Sequence, residues 1–171
     1  MATPEQFVLK DFPLQCGVVL AEAKVVYQVY GELNDERTNA ILYPTSYGAQ
    51  HTDVDWLVRP DGILDPSRWC VVMVNMFGNG LSTSPSNDPA AAGPSVYFTH
   101  YDNVRAQVAL VDAMGIGQLA LVYGWSMGAQ QGYHWAALYR DRVQRLAALC
   151  GTAKTTDQTK IFLYSLRAAL T

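Results

Sequence analysis

Apolar residues fall along this chain in short runs separated by glycine- and proline-rich punctuation, and the runs are of two kinds. Residues 18–30 (VVLAEAKVVYQVY) alternate enough between apolar and polar positions to predict a partly exposed antiparallel edge strand. Residues 40–43 (AILY), 70–76 (CVVMVNM) and 119–123 (LALVY) are almost wholly apolar, the pattern of strands buried on both faces of a parallel sheet. Between them the period changes. In residues 103–114 (NVRAQVALVDAM), Val104, Val108 and Val111 recur at helical spacing, and Gly115 supplies a stop. Two more helices are expected over about 126–139 and 156–170. Residues 143–150 (VQRLAALC) fit either period: Gln144 and Arg145 suit a helix, while their place in the order and the following Gly151-Thr152 favour a strand. Paired strands followed by strand–helix units predict an α/β fold, a mostly parallel sheet with helices on both faces.

Composition narrows what such a domain does. The chain has 171 residues, 50% of them hydrophobic and 16% charged, with a net charge of -3. That slightly acidic balance argues against a nucleic-acid partner, which calls for a basic face. No stretch approaches the roughly 20 apolar residues that cross a bilayer, and the opening MATPEQFVLKDF lacks the basic-then-apolar order of a secretory leader. A cytoplasmic protein acting on a small molecule, away from membranes, is expected. Cys16, Cys70 and Cys150 are odd in number and lie in apolar settings, so they read as reduced core cysteines. The sequence has no metal-ligand cluster and no phosphate-cradling motif, and Gly78-Asn79-Gly80 is not followed by the helix that a dinucleotide loop needs. Residues 77–99 form a long Gly/Pro/Ser-rich loop, to be read either as functional or as a surface excursion.

One motif carries chemistry. Gly124-Trp125-Ser126-Met127-Gly128 is G-x-S-x-G, set directly after an apolar strand and directly before a helical run, the context of a nucleophile elbow. A serine on so sharp a turn needs tiny neighbours two residues to either side, and its hydroxyl then stands at a helix N-terminus where negative charge is favoured. The Met127 N–H is the natural first oxyanion donor. A second is expected from the loop after an earlier strand, Pro44-Thr45-Ser46-Tyr47-Gly48, with Ser46 as the candidate. The base is harder to find. His134 lies eight residues beyond Ser126 on the same expected helix, about 12 Å along its axis and out of reach. His51 and His100 follow loops near the expected mouth, but neither has the chain order Ser, acid, His that this architecture uses. After Arg142 the chain holds a single carboxylate, Asp157, and no histidine. Asp53 and Asp55 form a close pair that reads as a solvated turn.

With these residues in view, the chain resembles the homoserine O-acetyltransferase group of the α/β-hydrolase superfamily over about residues 17–156. The resemblance is carried by Tyr30-Gly31-Glu32-Leu33-Asn34, Thr38-Asn39-Ala40-Ile41-Leu42, Asp65-Pro66-Ser67-Arg68-Trp69, the stretch NMFGNGLSTSPS at 75–86, Asp102-Asn103-Val104-Arg105-Ala106-Gln107 and Gly124 to Gly128. It implies an α/β-hydrolase fold in which acetyl-CoA acylates Ser126 and the acyl group passes to a substrate hydroxyl in a ping-pong cycle. The Ser46 and Met127 N–H groups would hold the oxyanion, and no resident cofactor is implied. The sequence departs from the group's usual pattern at Trp125 and Ala129, where glycines are usual. It also departs in the PTSYG loop at 44–48 and in Leu-Ser-Thr-Ser-Pro at 81–85. These departures fit a hydrolase-like branch.

Members of the group continue with a helical lid, further strands and the aspartate and histidine of a triad. Residues 1–171 therefore read as the N-terminal part of such a domain, with 155–171 starting the lid and the last strands absent. Such a chain is expected to turn over poorly alone, and to associate with itself or with a complementing C-terminal fragment. The alternative readings are a non-catalytic paralogue that binds or assembles, and an esterase using His51 or His100 in an unusual triad.

Overall fold

A computed structural model describes residues 3–170 of the chain. Six strands form one sheet in the order β1-β2-β4-β3-β5-β6. They are β1 (Glu5–Pro13), β2 (Val19–Tyr30), β3 (Ala40–Pro44), β4 (Cys70–Val74), β5 (Leu121–Trp125) and β6 (Leu146–Leu149). β1 and β2 pair antiparallel, as do β2 and β4, while β4, β3, β5 and β6 run parallel. Every residue of β3 and β4 is buried, as their unbroken apolar runs predict. Three helices follow, α1 (His100–Ala113), α2 (Met127–Leu138) and α3 (Asp157–Leu170). Residues 143–150 resolve in favour of the strand, confined to β6.

Two expectations are corrected. The expected edge strand lies between β1 and β4 in the sheet order, because β1 pairs with residues 19–27 of it and becomes the edge itself. β1 gives little periodic signal because only Phe12 on it is buried. The cysteines are not all core residues. Cys70 is buried, and burial pushes its thiol up to about 11. Cys16 is half-buried against the core, but Cys150 is exposed. It directly follows β6, with φ at 53°.

The loop at 77–99 is part of the scaffold. Only residues 27–30 of β2 pair with β4, which would leave the backbone unpaired at Val26, in a buried setting, and at Lys24, in a part-buried one. The Ser82 hydroxyl accepts from Val26 N–H at 2.9 Å and the Thr83 hydroxyl from Lys24 N–H at 2.8 Å. The Thr83 N–H returns a bond to Lys24 C=O at 2.9 Å. Ser82, Thr83 and Ser84 are accordingly buried.

α1 starts three residues earlier than the apolar period indicates, because Thr99 and Asp102 form a capping box. The buried Asp102 carboxylate also accepts from Gln15 N–H at 2.8 Å, which ties the helix start to the β1–β2 turn. Val104 and Val111 enter the main core, and Gly115, at φ 70°, closes the helix as expected. That core lies between the sheet and the helices α1 and α2. A second cluster on the other face, around Ile41, Tyr43, Met73 and Tyr123, is covered by the segment between β3 and β4.

Candidate active site

Ser126 joins β5 to α2 with φ 51° and ψ -115°, a conformation that non-glycine residues rarely hold without a surrounding structure that enforces it. The enforcing contacts are local. Ser126 N–H donates to Leu149 C=O at 2.8 Å, across to β6, and Ser126 C=O accepts from Gln130 N–H at 3.2 Å. A Cβ at Gly124 would lie 2.4 Å from the Gly128 carbonyl oxygen, and one at Gly128 would lie 2.4 Å from that of Pro44. The two glycines are thus required for the reason the motif implies. Ala129 is tolerated where the related sequences usually carry glycine because Gly151 faces it; a Cβ on Gly151 would sit 2.4 Å from that of Ala129.

Ser126 is the N-cap of α2, yet its hydroxyl makes no capping bond. The Met127 N–H belongs to the first turn of α2, where amides have no intrahelical partner. The loop after β3 reaches the same place. The Ser46 hydroxyl donates to the Trp125 carbonyl, Gly128 packs against Pro44, and Gln131 Nε2 donates to Thr45 C=O at 3.1 Å. Ser126, Met127 and Ser46 are therefore brought together. Beside them opens a cavity of about 460 Å³ that Ser46 and Trp125 help to line.

A feature missed in the sequence holds this loop in place. Trp135 Nε1 donates to Gln107 Oε1 at 2.8 Å, Gln107 Nε2 to Gln131 Oε1 at 2.6 Å, and Gln131 to the loop carbonyl just described. All three side chains are buried, so the series links α1 and α2 directly to the loop after β3. The signal was a glutamine at each of two apolar helix positions, with Trp135 four residues after Gln131 on the same helical face.

None of the three histidines bonds to Ser126 among the described residues. His51 is buried with Nδ1 3.1 Å from Asn75 Nδ2. His100 Nε2 lies 3.0 Å from Gln130 Oε1, and its ring centroid is 5.7 Å from that of His134. Burial, with His134 adding to it, holds the His100 imidazole below its ordinary value against the opposing Gln130 bond. Asp53 closes a capping box at the 3-10 turn His51–Asp53, where it accepts from Gln50 N–H at 2.7 Å. Among the described residues no group of three or more His, Cys, Asp or Glu is placed to hold a metal, and no helix is long and apolar enough to cross a membrane.

A mostly parallel sheet with a strained serine between a strand and a helix N-terminus, flanked by required glycines and met by a second loop, defines an α/β protein of the elbow type. Residues 59–166 match the family model described as alpha/beta hydrolase fold, and the chain belongs to that family. It is 42% identical over 163 residues to an ethyl acetate hydrolase of Pseudomonas veronii, covering 93% of this chain and 47% of that protein. It is 38% identical over 162 residues to a homoserine O-acetyltransferase of Bradyrhizobium diazoefficiens, covering 84% of this chain and 40% of that one. The structure of the acetyl esterase MekB superposes with a TM-score of 0.92 at 39% identity, covering 96% of this chain and 49% of that one. The chain spans about half the length of these relatives.

Proposed function

We propose that this chain carries the nucleophile and oxyanion half of a serine ester hydrolase. In this reading Ser126 Oγ attacks the carbonyl carbon of a small ester. The Met127 and Ser46 N–H groups hold the developing oxyanion, the alcohol leaves, and water later releases the acid. The observation that carries the reading is the strained Ser126, its hydroxyl free of any capping bond. Strain of this kind persists where the surroundings enforce it, and it exposes the oxygen at a helix N-terminus. Hydrolysis is favoured over transfer from acetyl-CoA to homoserine. The cavity beside Ser46 and Trp125 is lined by no lysine, arginine or histidine among the described residues, so it offers an amino-acid carboxylate no cationic partner.

With no histidine placed to take the serine proton, attack relies on oxyanion stabilisation alone. That contribution by itself leaves on the order of 10³-fold acceleration over water in serine hydrolases. Incubation with p-nitrophenyl acetate is therefore expected to give slow, stoichiometric acetylation of Ser126 with little turnover. Peptide mass spectrometry would locate the adduct, and Ser126→Ala would lose it. Acetyl groups scattered over lysines at equal rates in both proteins would sink the proposal.

A further inference from the structure

The cavity beside the elbow has an unusual lining for a site that takes a small neutral ester. Five of the side chains around its 460 Å³ are aromatic: Tyr43, Tyr47, Trp56, Tyr123 and Trp125. Tyr43 and Tyr123 stack 5.5 Å apart and are buried, forming the floor. The other three stand at the rim with their rings open to the space, Tyr47 at 68%, Trp56 at 65% and Trp125 at 49% exposure. Among the described lining residues the one acidic side chain is Asp53. Its Oδ2 is engaged by Gln50 N–H, while Oδ1 has no hydrogen-bond partner among the described residues. The volume falls within the range of roughly 300–1,000 Å³ usual for small-ligand sites.

Aromatic faces present negative quadrupole potential, and they attract a cation most strongly when it is weakly hydrated, as a methylated ammonium is. A single carboxylate adds net negative charge, and among the described lining residues no cationic side chain offsets it. A neutral alkyl group would gain only contact area here, and an anion would meet Asp53 and the ring faces. An amino acid such as homoserine would satisfy its ammonium and leave its carboxylate without a cationic partner.

From this lining we infer that the cavity binds a quaternary or methylated ammonium group, so that the substrate class is a small ester bearing such a cation. The statement about esters rests on the function proposed above; the cation site itself does not.

The test is an equilibrium titration followed by tryptophan fluorescence, since Trp135 is fully buried and Trp56 and Trp125 flank the cavity. The probes are choline and its uncharged isostere 3,3-dimethyl-1-butanol, at matched ionic strength. Choline is expected to bind about tenfold more tightly, a difference of the size that cation–π and carboxylate contacts supply. Asp53→Asn keeps an oxygen for the Gln50 N–H, so the local turn survives, and it should narrow that preference to about threefold or less. Trp125→Ala should weaken choline more than the isostere. An unchanged melting temperature in each variant excludes unfolding as the cause. Equal binding of the two probes, or a preference untouched by Asp53→Asn, overturns the inference. Ser126→Ala keeps the choline preference in either case. A failure of Ser126 acetylation therefore defeats the esterase reading alone, and a failure here defeats the cation site alone.

Discussion

Ser126 concentrates the cost of this fold in one residue. A backbone at φ 51° suits glycine and strains serine by about 1–3 kcal/mol. Replacing Ser126 by glycine should therefore raise stability by about 1 kcal/mol, or roughly 2–4 °C in melting temperature for a chain of this size. Ser126→Ala should bring no such gain. Thermal unfolding of the two variants beside the parent checks the pair, and a gain in stability with loss of acetylation is the trade expected of a functional serine. A second residue-scale effect concerns His100. Because burial depresses its pKa, the folded form takes up the proton at lower pH than the unfolded chain does. Its contribution is intact above about pH 6.5 and is lost as pH falls through the depressed folded value. Melting temperatures measured from pH 7 to 5 should fall more steeply for the parent than for His100→Gln. At this scale the sequence was informative where a residue type is forced: Gly124 and Gly128 have no substitutes on such a turn. It was silent on Gln107 and Gln131, whose roles depend on facing one another across two helices.

Among the elements, the loop at 77–99 changes the reading most. It supplies to β2 the hydrogen bonds that a neighbouring strand would otherwise give, through Ser82 and Thr83. Thr83→Val keeps the shape and removes the acceptor for Lys24 N–H, so it should cost about 1 kcal/mol in urea unfolding, the scale of one hydrogen bond lost at a part-buried amide. Thr83→Ser should cost much less. Composition left the loop open between a functional element and a surface excursion, and its Ser82 and Thr83 hydroxyls face inward because that is where unpaired backbone lies. Gly31, in one of the segments shared with the related family, has a comparable structural duty: at φ 75°, a Cβ there would sit 2.3 Å from the Trp69 carbonyl oxygen. The strands β3 and β4 were legible because burial on both faces leaves no polar position. β1 was not, because its partner lies on one edge only and most of its side chains meet water. The first turn of α1 was legible in principle, as Thr99 and Asp102 stand at capping-box spacing, but it precedes the first apolar position.

Taken whole, the molecule is uneven across its sheet. One face is packed by α1 and α2 around Trp135 and Leu110, whereas β6, at the end of the sheet, is only half-buried, and α3 leaves Ile161, Phe162 and Tyr164 exposed. The Ser126 amide is fastened to Leu149, a residue of this outermost strand. The elbow therefore stays bent only while β6 stays docked. Amide hydrogen exchange should show Ser126 opening together with β6 and well before β3 and β4, whose amides report the most protected part of the sheet. In the hydrolase reading proposed above, attack by Ser126 is then gated by the residence time of a four-residue strand that pairs only with β5 among the described residues. Any segment that laid itself along the outer side of β6 would lengthen that residence time, acting as a clock on the proposed reaction from outside its site.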